Sequence, residues 1–158
     1  MNLYEIGRYK AKLKSKICQC DLIKDCLIGK GYDEDYVDEL LDKQVFSYLY
    51  VPDTQTEVKT YICFDTRITR VPNDYIKDMQ LVVRIFSHKD DIKYSKAGYS
   101  GIKPDILAQM FDKDVLGEAK HDFGIGHLKL ESVDIYQPDK DYYGRQLVYS
   151  CFEFYKES

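Results

Sequence analysis

One expected strand pair, Tyr61–Ile68 with Met79–His88, constrains this chain most. In Thr60-Tyr61-Ile62-Cys63-Phe64-Asp65-Thr66-Arg67-Ile68 the even positions Ile62, Phe64 and Ile68 are apolar, while the odd side ends polar with Asp65 and Arg67. A period of two is the signature of a strand with one face on a core. Met79–His88 reads as a second strand, and Tyr61–Ile68 and Met79–His88 are expected to pair. The linking segment Thr69–Asp78 is too long for a tight hairpin and too short for a helical crossover. An antiparallel pair with a projecting loop is the simplest solution. Val71-Pro72-Asn73-Asp74 supplies turn chemistry within it.

The remaining elements build an α+β domain around that pair. A helix is expected over about Ala11 to Ile28, with Leu13, Ile17, Cys20 and Leu27 near one stripe and Ile23 beside it. Gly29 and Gly31 end it. A second helix, Asp33–Lys43, has Asp33 as cap, Glu34 and Asp35 at its positive end, and Val37, Leu40 and Leu41 as its apolar stripe. Val45–Val51 reads as a strand stopped by Pro52. After the polar run Lys89–Ser100, Pro104 opens a third helix, whose face is Leu107, Met110, Phe111, Val115 and Leu116, and Gly117 closes it. Leu128 and Leu130 share one strand phase while Val133 and Ile135 fall on the other. A β-bulge near Glu131-Ser132 reconciles them. Pro138–Lys140 is a turn and Tyr142–Tyr155 the last strand. The order α-α-β-β-β-α-β-β predicts a mostly antiparallel sheet of about five strands with helices on one face.

At 158 residues the chain is expected to be one domain, 1–158, large enough to hold together without disulfide or metal. A net charge of −4 argues against a general nucleic-acid binder. Fifteen Tyr and no Trp suit half-buried sheet faces and protein contacts. Met1–Lys16 is basic without an apolar h-region, and no apolar run approaches membrane-spanning length, so neither a targeting signal nor a membrane partner is expected. Five cysteines in such a chain suggest reduced thiols.

Candidate chemistry is sparse. Cys18, Cys20 and Cys26 lack metal-ligand spacing and read as half-buried thiols. His88, His121 and His127 are far apart, although a Cys–His pair can meet in space. Phe123-Gly124-Ile125-Gly126 leads into a strand, not a helix, and reads as a turn rather than a phosphate loop. Asp90, Asp91, Asp112 and Asp114 lie in solvated runs. No cofactor and no metal is therefore expected. The stretch with Arg8, Lys10, Lys12, Lys14 and Lys16 forms a basic arm over residues 1–16. It matches either the acidic second helix of the same chain or an acidic partner. If it bound DNA through all five cations, log affinity would fall with log salt at a slope of roughly −4 to −5.

Val45–Asp53, Tyr61–Asp65, Arg70–Asp78, Phe123–Gly126 and Tyr143-Gly144-Arg145-Gln146-Leu147 together resemble small structural proteins of tailed bacteriophages and prophages, of the head–tail connector or tail-terminator type. The resemblance spans about residues 40–150. It implies a non-catalytic virion subunit made in the host cytoplasm. Such a subunit forms a homo-oligomeric ring at the neck or tail terminus and contacts neighbouring neck or tail proteins. Ring closure needs two different patches meeting head to tail. The interface residues expected on the arm and the polar excursions are Arg8, Lys10, Lys12, Arg70, Asn73, Asp74, Tyr75, Lys77, Lys93, Tyr94, Tyr99, Tyr143 and Arg145. Two other classes stand beside this reading: a small Cys- or His-dependent hydrolase, and a non-viral protein-binding adaptor.

Overall fold

The computed structural model describes residues 4–29, 31–50, 58–71, 76–117 and 128–155, with the backbone alone at 5, 76–77 and 152–155. Helices α1 (Tyr4–Gln19), α2 (Asp21–Ile28) and α3 (Val37–Asp42) precede strands β1 (Val45–Phe46), β2 (Thr60–Arg70) and β3 (Ile76–His88). Helix α4 (Lys103–Met110), continued by a π-helical segment Phe111–Leu116, leads to β4 (Lys129–Tyr136) and β5 (Tyr142–Tyr155). The fold is the expected α+β type. The sheet order is β1-β2-β3-β5-β4, antiparallel throughout except that β1 runs parallel to β2.

The helix side of the sheet carries the main core. Ile62, Phe64, Leu81, Val83, Ile85, Leu147 and Tyr149 meet Leu13, Ile17, Ile23, Leu41, Leu107, Met110 and Phe111 there. Burying one such aliphatic or Phe side chain contributes roughly 1.5–3 kcal/mol. Positions 13 and 17 are one helical turn apart, and α1 rests on them. The π-helical segment also follows from the sequence. Met110 and Phe111 are buried, and the next buried pair, Val115 and Leu116, comes five residues later. An α-helical repeat would carry that second pair past the sheet. The i→i+5 turn brings it back underneath.

The opposite side holds a smaller aromatic cluster. Tyr61, Cys63, Phe86 and Tyr142 are buried there with Phe46, Leu49, Tyr50 and Tyr136 packed against them. The first half of β2 is therefore buried on both faces, whereas alternation suggested one. Phe46 and Tyr50 stack at 4.2 Å between centroids, which holds the segment after β1 across the sheet. Gly144 faces Phe86 across β3 and β5. A Cβ at 144 would overlap the Ile85 carbonyl and the Phe86 Cα, so only glycine allows this close approach.

Several expectations need correction. The helix expected over Ala11–Ile28 is two helices, broken at Cys20, whose extended backbone (φ −80°, ψ 109°) starts α2. The basic arm is largely the first turns of α1, held down by buried Tyr9 and Leu13. Asp33 does not cap a helix that begins beside it. It accepts the Asp35 N–H at 3.0 Å in a local turn, and α3 starts only at Val37. Of Val45–Val51 only Val45–Phe46 is strand, and 51 lies outside the described residues. β3 begins at Ile76, not Met79, so the link from β2 is residues 71–75, much shorter than the projecting loop expected. The bulge near Glu131-Ser132 is present, as a register shift between Leu130 and Ser132.

Candidate assembly surface

Among the described residues, the sheet ends in an open edge. β4 is the last strand, and its helix-side row is Leu130, Val133 and Ile135, at 38%, 51% and 65% exposure. Register explains why they share a face. Leu130 pairs with Tyr149, Val133 with Leu147 and Ile135 with Arg145, and the bulge between 130 and 132 keeps the three in phase. Between β4 and α4 lies an open groove of about 260 Å³, walled by Ala108, Gln109, Leu130, Val133 and Leu147. Long edge strands with exposed apolar rows template pairing with another chain, and solitary proteins usually blunt them.

Polar groups fix the walls of this groove. The Arg145 Nε donates to Asp105 Oδ1 at 2.7 Å, which ties β5 to the first turn of α4 and raises the guanidinium pKa through that bond. The Tyr149 hydroxyl donates to Asp112 at 2.8 Å, and burial with this bond pushes its pKa far up. Tyr99 donates to Asp114 at 2.5 Å, a bond that pushes the phenol up to about 12. Asp112 and Asp114, read from sequence as merely solvated, thus pin tyrosines to the π-helical segment.

A second polar chain was not visible in the sequence. The ammonium of Lys103, a buried residue, donates to Asp91 Oδ1 at 2.9 Å. The other Asp91 oxygen accepts from Thr60 at 2.8 Å, and the Thr60 and Ser87 hydroxyls lie 2.7 Å apart. Gln44 Nε2 donates to the carbonyls of Leu27 and Thr60. This chain locks the 89–102 connection onto the ends of β2 and β3.

The expected interface residues fall in several places. Arg8 is exposed with its guanidinium 5.8 Å from the Tyr4 ring centroid, and Lys12 is also exposed. Lys10 instead pairs with Asp65 at 3.0 Å, and Lys14 with Asp42 at 3.1 Å, so part of the basic stretch is matched within the chain. Arg70 pairs with Asp78 across β2 and β3 at 2.8 Å rather than standing on a loop. Asn73, Asp74 and Tyr75 lie outside the described residues, and Lys77 is described only as backbone in β3. Lys93 is exposed, whereas Tyr94 and Tyr99 pack partly against the core. Tyr143 lies beside Arg145, whose guanidinium is 5.7 Å from its ring centroid. The structure brings Tyr143 and Arg145 near the groove and leaves Arg8, Lys12 and Lys93 elsewhere. Leu130, Val133 and Ile135 were visible as an apolar row, but their place on an edge depends on strand order.

Burial raises the thiol pKa of Cys26 to about 12 and of Cys63 and Cys151 to about 11. Cys18 and Cys20 are half-buried, and their pKa values are raised chiefly by the same cause. Among the described residues no group of three or more His, Cys, Asp or Glu is placed to hold a metal ion. No helix among them is long and apolar enough to cross a membrane. His121, His127 and Phe123–Gly126 lie outside the described residues.

Comparison with the curated proteins returns no match. A family model, YomW, matches residues 19–151, which takes in β1 to β4, β5 as far as Cys151, and all the described helices after α1. The chain belongs to the YomW family, which is phage-derived, in keeping with a prophage origin.

Proposed function

We propose that this chain is a structural assembly protein of a tailed phage or prophage, a ring-forming subunit at the head–tail junction or tail terminus that works through contacts and not catalysis. The observation that carries the reading is the β4 edge with its exposed Leu130, Val133 and Ile135. An apolar row on an open strand edge is costly for a solitary protein and useful for one that completes itself on neighbours. The phage-derived family supports the virion setting. The polar bonds at Arg145 and Tyr149 tie the wall of the groove to α4 and the π-helical segment, so little ordering entropy opposes docking. Its partners are further copies of itself and adjoining neck or tail proteins.

Deleting the coding sequence from an inducible lysogen tests this. Electron microscopy of the lysate is expected to show filled heads and tails that fail to join, or tails of abnormal length. A plasmid copy is expected to restore whole particles. Normal numbers of infectious, complete particles from the deletion strain would overturn the proposal.

A further inference from the structure

Among the described residues the sheet has a second open edge, and it complements the first. β1 covers β2 only at Ile62 and Cys63. Beyond Cys63, no described strand pairs with β2 on that side. The open half runs to Arg70 and presents Arg67 and Ile68, with Arg67 exposed on the outer side and Ile68 packed on the helix side. β4, at the other end of the sheet, presents exposed Asp134 on the outer side and Val133 on the helix side.

We propose that β4 of one copy pairs antiparallel with the open half of β2 in the next copy, so that the sheet continues from subunit to subunit. Strand direction permits it. β2 and β5 run one way and β3 and β4 the other, so a neighbour's β2 placed beside β4 preserves the antiparallel alternation.

One register satisfies face, charge and hydrogen bonding together. With Val133 opposite Ile68 of the next copy, Asp134 meets Arg67, Ile135 meets Thr66 and Tyr136 meets Asp65. Every pair then shares a face, and the acid lies opposite the base. The backbone groups agree. Ile62 N–H donates away from β3, to the Gln44 carbonyl, so even positions of β2 point their N–H and C=O to the open side. Following the ladder through β3 and β5 makes Val133 and Ile135 the β4 residues that point outward. Val133–Ile68 and Ile135–Thr66 become the hydrogen-bonded pairs, the second replacing the bond that the Thr66 N–H donates to Asp65 Oδ1 at 2.8 Å within one copy.

The contact is heterologous, with different patches on the two sides, and closes as a ring or continues as a fibre according to its rotation. The neighbour's α1 packs on β1 and β2 on the helix side, so it arrives beside the open groove over β4. The ring part of this inference rests on the function proposed above, while the strand pairing rests on geometry alone.

The test uses the full chain with Arg67→Cys and Asp134→Cys together, in concentrated protein and in phage particles. Residues opposite each other in a non-hydrogen-bonded pair have Cα atoms about 4.5 Å apart, close enough for a disulfide. Mild oxidation is expected to give a ladder of linked chains beyond dimer, while either single variant and the native chain give none. Arg67→Asp or Asp134→Arg alone is expected to reduce assembly at least tenfold, and the two together to restore it. Absence of a disulfide between positions 67 and 134 of the double variant in both settings would overturn the proposal. So would linkage that stops at dimer in a chain carrying Leu130→Cys and Val133→Cys, the mark of two-fold β4–β4 pairing. A ladder in concentrated protein with no chain in particles keeps the pairing and removes the virion role. The chain present in particles without the link does the reverse.

Discussion

Replacing Lys103 with Met keeps the aliphatic stem in its packed position and removes the charge that holds Asp91. The lysine side chain is 8% exposed and the carboxylate 31%. Breaking a fully buried ion pair by removing one partner costs about 3–5 kcal/mol, because the other charge is left unmatched. Asp91 keeps the Thr60 hydroxyl and some access to water, so the loss expected here is about 2 kcal/mol. Urea unfolding is the assay. With a slope of about 2 kcal/mol per molar for a small domain, the midpoint should fall by about 1 M at unchanged slope. Lys103→Met combined with Asp91→Asn removes both charges and should recover at least half of the loss. A single-variant loss below about 0.5 kcal/mol, or a double variant no better than the single, would refute a buried, stability-bearing Lys103–Asp91 contact.

Packing and the thiols set four further outcomes. Gly144→Ala drives a methyl into the Ile85 carbonyl and Phe86, and should cost about 2–3 kcal/mol in the same urea assay. Phe64→Ala empties the centre of the helix-side core and should cost about 3–5 kcal/mol by thermal or urea unfolding. Thiol titration of the native chain at pH 8 should leave Cys26, Cys63 and Cys151 unreacted, while denaturant releases all five cysteines. Cys26 also fixes a sign of pH dependence. Its thiol is raised from 9.0 to about 12, so between those values the unfolded chain loses the proton that the folded chain keeps, and stability falls as pH rises.

Local pattern carried much of this fold. Period-two alternation located β2, and the last strand, read after the Pro138–Lys140 turn, came out at the expected bounds Tyr142–Tyr155. The phase change between Leu130 and Val133 announced the bulge before any register was known. Features set by distant partners were not legible. Tyr61 and Cys63 are buried because Phe46 and Tyr50 cross the sheet above them. Asp91 reads as one more acid in a polar run until Lys103, twelve residues on, reaches it. Five-residue spacing of the pairs Met110–Phe111 and Val115–Leu116 held the π-helical turn in view, yet a generic helical face absorbs both pairs. The expected interface residues Arg70, Lys10 and Tyr99 pair within the chain, since charge and aromaticity mark a surface without saying what already satisfies it. Edge status of β4 depends on β5 inserting between β3 and β4, a fact of topology and not of composition.

A chain built into a phage particle by its own surfaces must travel with that particle. Quantitative mass spectrometry of gradient-purified particles tests it most directly. The account predicts that the chain co-purifies with infectious particles at a fixed number of several copies per particle, and that salt washing does not strip it. Its absence from washed particles, with the chain free in the lysate, would contradict the account.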